Sequence, residues 1–181
     1  MKKKSAPSLS EDLPSPDTNV REVLAELACT NTALRRASRR LGQLYDEALA
    51  PIDLKATQLG LLAEIDRHIT SNGPEGPTLQ ILAGRLAIGI SGLTHALRPL
   101  VRDGFVKILQ DSKDGRTKHG ILTPLGKIRL RKALELWAAT NRRVEVVIGR
   151  ATVETLRGLA DEVASEEFLV AYNAGSQLSR P

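Results

Sequence analysis

A chain of 181 residues suits one domain, or one small domain with helical extensions, and can bury an ordinary core. Its single cysteine excludes an intrachain disulfide framework and a cysteine-rich zinc site. Only 3 % of residues are aromatic, and the apolar remainder is mostly Leu, Ala, Ile and Val, which favours helices. The formal charge of +5 suits an anionic partner.

The first stretch, MKKKSAPSLSEDLPSPD, has lysines but no apolar segment of the kind a secretory leader carries. Residues 1–17 are expected to be a disordered tail, with a basic arm touching DNA as the alternative. No apolar run approaches the roughly 20 residues that span a bilayer, so a cytoplasmic protein is expected. A long helix is predicted over 19–50, with Leu34, Ala37, Leu41, Leu44 and Ala48 on one stripe and Pro51 closing it. Leu59, Leu62, Ile65 and Ile69 mark a second helix over 55–69, and 71–77 is a turn-rich linker.

Two short helices follow, over 78–87 and 91–103, with Thr78 and Ser91 as caps and Gly89 as the break between them. Asp103-Gly104 ends the second. A hairpin over 105–122 has Asp114-Gly115 at its tip, a strong turn signal. Thr123-Pro124 opens a fifth helix in the preferred order, cap then proline. That helix runs to Ile148 with Leu130, Leu134, Trp137, Val144 and Ile148 on a stripe interrupted by Asn141, and Gly149 ends it. A last helix over 152–174 carries Val153, Leu156, Ala160, Val163 and Tyr172.

Helix, turn, helix and basic-tipped ribbon make a mainly α fold with a small β-hairpin wing, a winged helix-turn-helix built to grip duplex DNA. The expected organisation is an N-terminal dimerisation helix over 18–52, the DNA-binding domain over 53–122 and C-terminal dimerisation helices over 123–176. The long amphipathic helices outrun what the central module can cover, which points to a homodimer; folding back as a monomeric bundle is the alternative. From Arg85 to His119 seven basic residues stand against three acidic ones, so nearly all the formal excess sits there.

The second short helix of such a module enters the major groove with its first turns facing base edges. Those positions are Ile90, Ser91, Gly92, Thr94, His95 and Arg98. Ser91 and Thr94 can donate to phosphate or base, and Arg98 can make a charge-assisted contact to phosphate or guanine. His95 meets a purine N7 or the backbone. Ile90 packs on a thymine methyl or in the core, and Gly92 allows close backbone approach. Pro99 removes one N–H and is expected to bend or loosen the turn from His95. Leu93, Leu97 and Leu100 form the buried face. At the hairpin tip Lys113, Arg116 and Lys118 can enter a narrow minor groove, with Asp114 expected to orient the Arg116 guanidinium. The alternative is a solvated surface turn.

The run LGLLAEI…LQILAGRLAIGISGLTHALRPLVRDGFV…DSKDGRTKHGILTPLGK resembles the MarR family of bacterial transcription regulators over residues 24–172. Its most specific parts are 86–106 and the wing pattern Asp111-x-x-Asp114-Gly115-Arg116 running to Leu122-Thr123-x-x-Gly126. The resemblance implies a homodimer that binds pseudo-palindromic operators on double-stranded DNA and usually represses. It also implies Arg116 as the wing arginine and Asp114 as its support, with Lys113 where arginine is frequent. Gly89-Ile90-Ser91-Gly92 departs from the family's more usual Asp-Arg-Ser-Thr type of start.

The family also implies release of DNA by a small aromatic or lipophilic effector, or by oxidation of a cysteine. Trp137, Tyr45, His68 and Arg36 are candidates for an effector pocket from position alone, and Cys29 is the redox candidate; each has core or surface as its alternative. No Gly-rich phosphate loop, paired metal-spaced histidines or nucleophile motif is present, so neither an enzyme nor a cofactor or metal is expected. A winged-helix protein-interaction module that never touches DNA is the remaining rival.

Overall fold

The computed structural model describes residues 29–111 and 114–177. Lys113 and the expected tail over 1–17 lie outside the described residues. The chain divides into two units, 1–40 and 41–181. What is described of the first is Cys29 and the leading turns of α1 (Thr30–Leu49), where Arg35, Arg36, Arg39 and Arg40 are all exposed.

In the second unit, Pro51 sits inside a single 3-10 turn (Ala50–Ile52) and Asp53 takes a left-handed φ of 49°. α2 (Ala56–Asn72) then starts against two acceptors. Gln58 Oε1 takes the Lys55 N–H at 2.8 Å and Asp46 Oδ1 takes the Ala56 N–H at 2.7 Å. These satisfy first-turn donors that the lysine at the cap position cannot. Leu59, Leu62 and Ile65 of α2 are buried, on the stripe the sequence predicts. α3 (Leu79–Arg85) is capped by the Thr78 hydroxyl, which accepts from the Ile81 N–H at 3.1 Å.

α4 (Ile90–Arg102) buries Leu93, Leu97 and Leu100, spaced four and three apart, against that core. Gly104 ends it at φ 74°. β1 (Val106–Gln110) and β2 (Lys118–Leu122) pair antiparallel from Val106↔Leu122 to Gln110↔Lys118. A short third edge comes from the linker before α3: the Gly120 N–H donates to Pro77 O at 3.0 Å, and Thr78 bridges His119. α5 (Pro124–Ile148) follows, capped by the Thr123 hydroxyl on the Gly126 N–H at 3.0 Å. α6 (Arg150–Val163) and α7 (Glu166–Gln177) complete the chain. Leu49, Leu62, Ile65, Leu82, Leu93 and Leu100 are fully enclosed, and each such side chain stabilises by about 1.5–3 kcal/mol.

The mainly α winged helix-turn-helix is as the sequence predicts, with two corrections. Ser91 is not a cap: α4 begins one residue earlier, with Gly89 extended at the cap position and its carbonyl taking the Leu93 N–H at 3.0 Å. Gly89 stands in the break between the two short helices, where Ala87 takes the left-handed φ of 49°. Pro99 lies inside α4, and the Asp103 N–H bonds Pro99 O at 2.9 Å. The last helix is two, because the Ser165 hydroxyl accepts the Phe168 N–H at 3.1 Å and starts a new helix with Glu166 and Glu167 in its first turn.

One glycine is fixed by sterics. A Cβ on Gly126 would fall on the carbonyl oxygen of Phe105 and 2.9 Å from its carbon. Both atoms are backbone and cannot move aside. Gly126→Ala is therefore expected to destabilise by about 2–3 kcal/mol, measured by chemical denaturation. Gly60→Ala, with nothing within 4 Å, is expected to be neutral or gain about 0.5–1 kcal/mol.

Candidate nucleic-acid interface

α4 divides cleanly between a buried leucine face and an outer face. Ser91, Gly92, Thr94, His95 and Arg98 are all exposed, and Ile90 is 45 % exposed, so its core alternative is excluded. Ile88, just before the helix, is 40 % exposed as well. Two β-branched apolar side chains thus stand out of the surface at the start of this helix. Thr94 donates its hydroxyl to Ile90 O at 2.9 Å, which leaves its oxygen lone pairs outward as acceptors. The space around the missing Gly92 side chain is open.

β1 ends at Gln110 and β2 starts at Lys118, so the two strands are not joined by a two-residue turn. The Asp111 N–H donates to Thr117 O and the Thr117 N–H to Asp114 O, both at 2.9 Å. Asp114 has a different role from the one its position suggests. Its Oδ1 accepts the Arg116 backbone N–H at 3.0 Å and its Oδ2 accepts the Thr117 hydroxyl at 2.9 Å. The carboxylate therefore shapes the loop and leaves the Arg116 guanidinium unpaired. Arg116 and Lys118 are exposed.

Not every cation in this region is available to a ligand. Arg85 reaches Glu64 Oε1 at 2.6 Å, and Arg67 reaches Glu64 Oε2 at the same distance. Glu64, only 6 % exposed, is a buried carboxylate that joins α2 to the end of α3. Arg102 is engaged with Asp103 at 2.7 Å. Among the described residues, Arg98, Lys107, Arg116 and Lys118 make no ion pair. Sequence reasoning missed Glu64, whose place on the apolar side of α2 beside Ile65 was the available signal.

A cavity of about 280 Å³ lies on the other side of α2, lined by Tyr45, Ala56, Leu59, Gly60, Ala63, Arg67, Leu134 and Trp137. Two of the four pocket candidates, Tyr45 and Trp137, line it, their rings stacked at 6.3 Å. Tyr45 also donates to Asn141 Oδ1 at 3.0 Å, and burial pushes its phenol pKa up. His68 and Arg36 are not in the lining. Arg67, which the sequence reading overlooked, supplies a guanidinium at the cavity edge.

Cys29 is exposed at the start of α1. Hydrogen bonds from the Thr32 backbone and hydroxyl hold its thiol below the ordinary range. Among the described residues no group of His, Cys, Asp and Glu is arranged to hold a metal, and no helix is long and apolar enough to cross a membrane.

No protein-family model matches this chain, and no curated protein does. Solved structures do. The chain is 33 % identical to the M. tuberculosis transcriptional regulator MosR crystallised with DNA, over 74 % of this chain and 96 % of that one, with a TM-score of 0.61. At 24 % identity it matches the transcriptional repressor CouR bound to a 23-mer DNA duplex (78 % and 95 % covered, TM-score 0.66). At 22 % it matches a mutant E. coli MarR complexed with operator DNA (81 % and 99 %, TM-score 0.66). With the winged helix-turn-helix, the wing pattern and a one-third-identical regulator all agreeing, the chain belongs to the MarR family of transcriptional regulators.

Proposed function

We propose that this regulator is a homodimer that binds double-stranded operator DNA through the outer face of α4 and the tip of the hairpin, and that it represses until a small effector releases it. The observation that carries the reading is the pairing of an exposed polar face on α4 (Ser91, Thr94, His95, Arg98) with cations at the wing (Arg116, Lys118) that make no ion pair among the described residues. Phosphate contacts would supply most of the affinity, and the first turn of α4 most of the sequence information. Ile90 and Gly92 belong to this face, as does Lys113 by its place in the sequence. A cytoplasmic location follows from a DNA partner, and regulation of this kind needs no catalytic group.

The dimer reading rests on apolar side chains of α5, α6 and α7 that are exposed among the described residues. Val146 and Val147 are each 84 % exposed, and Leu159, Val170 and Tyr172 stand out from α6 and α7. Large apolar side chains exposed together on these helices mark an interaction surface, and a second copy of the same helices is its natural cover. Val147→Asp is expected to shift sedimentation equilibrium toward the protomer mass; an unchanged dimer would remove this face from the interface.

Binding to a labelled duplex across a salt series tests the DNA reading. Affinity should fall steeply as salt rises, and Arg116→Ala should weaken all duplexes and reduce the slope by about one counterion. A protein-interaction module would show no duplex binding at low salt.

The effector reading rests on the cavity beside α2, whose volume and stacked aromatics suit a one-ring aromatic molecule. A second reading has its own observation, the exposed Cys29 with its lowered thiol. Its thiolate would attack a peroxide oxygen, giving a sulfenic acid with loss of water or alcohol. One comparison separates them. Under the effector reading benzoate quenches Trp137, the only tryptophan, and releases DNA, while peroxide leaves affinity unchanged. Peroxide release that disappears in Cys29→Ser would instead establish the thiol as the switch.

A further inference from the structure

The hairpin carries a histidine that neither the reading face nor the effector cavity uses. His119 stands on β2 opposite Leu109, its side chain only 12 % exposed. The ring nitrogens meet two different elements. Nδ1 lies 3.0 Å from the carbonyl oxygen of Gly76, in the linker before α3, and Nε2 lies 3.1 Å from Asp111 Oδ2, at the end of β1. Both partners are acceptors. A neutral imidazole has one N–H and can satisfy one of them, leaving a lone pair facing an oxygen at the other; only the imidazolium donates to both.

The surroundings favour that form. Among the described residues the charged groups that act on the ring are acidic, the Asp111 carboxylate and Glu75 from the linker. The Gly76 carbonyl first, then Asp111 and Glu75, raise the histidine above its ordinary value, against an opposing effect of burial. Among the described residues the cavity beside the ring is lined by Glu75, Leu109, Gln110, Asp111 and His119 itself.

His119 is also the junction of a continuous hydrogen-bonded path. Asp111, held at Oδ2 by the ring, accepts the Asp114 N–H at Oδ1 at 2.9 Å. Asp114 in turn accepts the Arg116 N–H and the Thr117 hydroxyl. On its far side the path ends in a segment pressed onto the sheet. A Cβ on Gly76, whose φ is 73°, would strike Gly120 O and approach Ile121 Cγ2 to 2.9 Å. The same linker leads into the Thr78 cap of α3.

We propose that His119 is a positioning residue for the wing: as an imidazolium it ties Asp111, and through it Asp114 behind Arg116, to the linker before α3, and losing its proton breaks that tie, so the wing's grip on DNA is set by pH. This rests on the DNA-binding reading above. The direction follows from the raised folded-state value. The tie is complete below the ordinary histidine range near pH ~6.5 and is lost as pH rises through the folded-state value.

Two measurements on the full-length protein test it. In the free protein, ring ¹⁵N resonances followed from pH 5.5 to 9 should show His119 losing its proton above the ordinary histidine range; a midpoint at or below that range overturns the proposal whether or not DNA binds. With a labelled duplex selected from a random pool, at constant ionic strength, wild-type affinity should fall roughly fivefold from pH 6 to 8.5, the worth of about one hydrogen bond. His119→Gln should bind more weakly at pH 6 with this fall removed, and Arg116→Ala should flatten it too. A His119→Gln profile that parallels wild type, or an Arg116→Ala protein that keeps the full fall, contradicts it. Failure to bind any duplex at pH 6 and low salt would instead refute the DNA-binding reading, and the ring titration would still decide the tie.

Discussion

The geometry of the whole module depends on one joint, where the end of α4, the base of the hairpin and the first turn of α5 share a few backbone groups. The Thr123 hydroxyl donates to Gly104 O at 2.6 Å and accepts from the Gly126 N–H at 3.0 Å. The Thr123 N–H reaches Phe105 O at 3.0 Å. The backbones of residues 105 and 126 approach so closely that only hydrogen fits between them. Arg129 then lies 4.9 Å over the Phe105 ring and donates to Ile52 O at 2.6 Å, carrying the joint to the turn that follows α1. Reading helix, wing and long helix α5 are therefore held at one point, by bonds that are mostly buried and cannot be exchanged for water without loss.

Around that joint the charges sort themselves by burial. Glu64 uses two arginines, so Arg85 serves the packing of α2 on α3 rather than a ligand. In the hairpin Asp114 accepts from the loop backbone and from the Thr117 hydroxyl, and Asp111 accepts the Asp114 N–H and meets His119. A loop shaped by its own carboxylate, whose exposed Arg116 and Lys118 make no ion pair among the described residues, can keep its form while presenting positive charge. That arrangement is what a polyanion requires of a small protruding element.

The parts legible in the sequence were those fixed by neighbours in the chain. Thr78, Thr123-Pro124 and Asp103-Gly104 mark helix ends because a cap acts within one turn. Leucine spacing placed the buried face of α4 for the same reason. What escaped depended on distant partners: the close approach at Gly126, the buried carboxylate of Glu64, and the ring of His119 between residues 76 and 111. Ser91 was misplaced because glycine at 89 can hold the extended cap conformation without a side chain. The split at Ser165 was legible in principle, as a serine followed by two acidic residues, but the continuing apolar pattern concealed it. For the interface, the sequence reading and the fold point to the same face of α4, whereas the role of Asp114 needed coordinates.

The central claim is that two protomers each set a reading helix and a wing against one duplex. Hydroxyl-radical footprinting on a duplex selected from a random pool tests it most directly. The account predicts two protected half-sites related by approximate two-fold symmetry, centred about one helical turn, ~10 base pairs, apart, each with a flanking minor-groove protection from the wing. A single unpaired protected site, or protection without sequence symmetry, would contradict it.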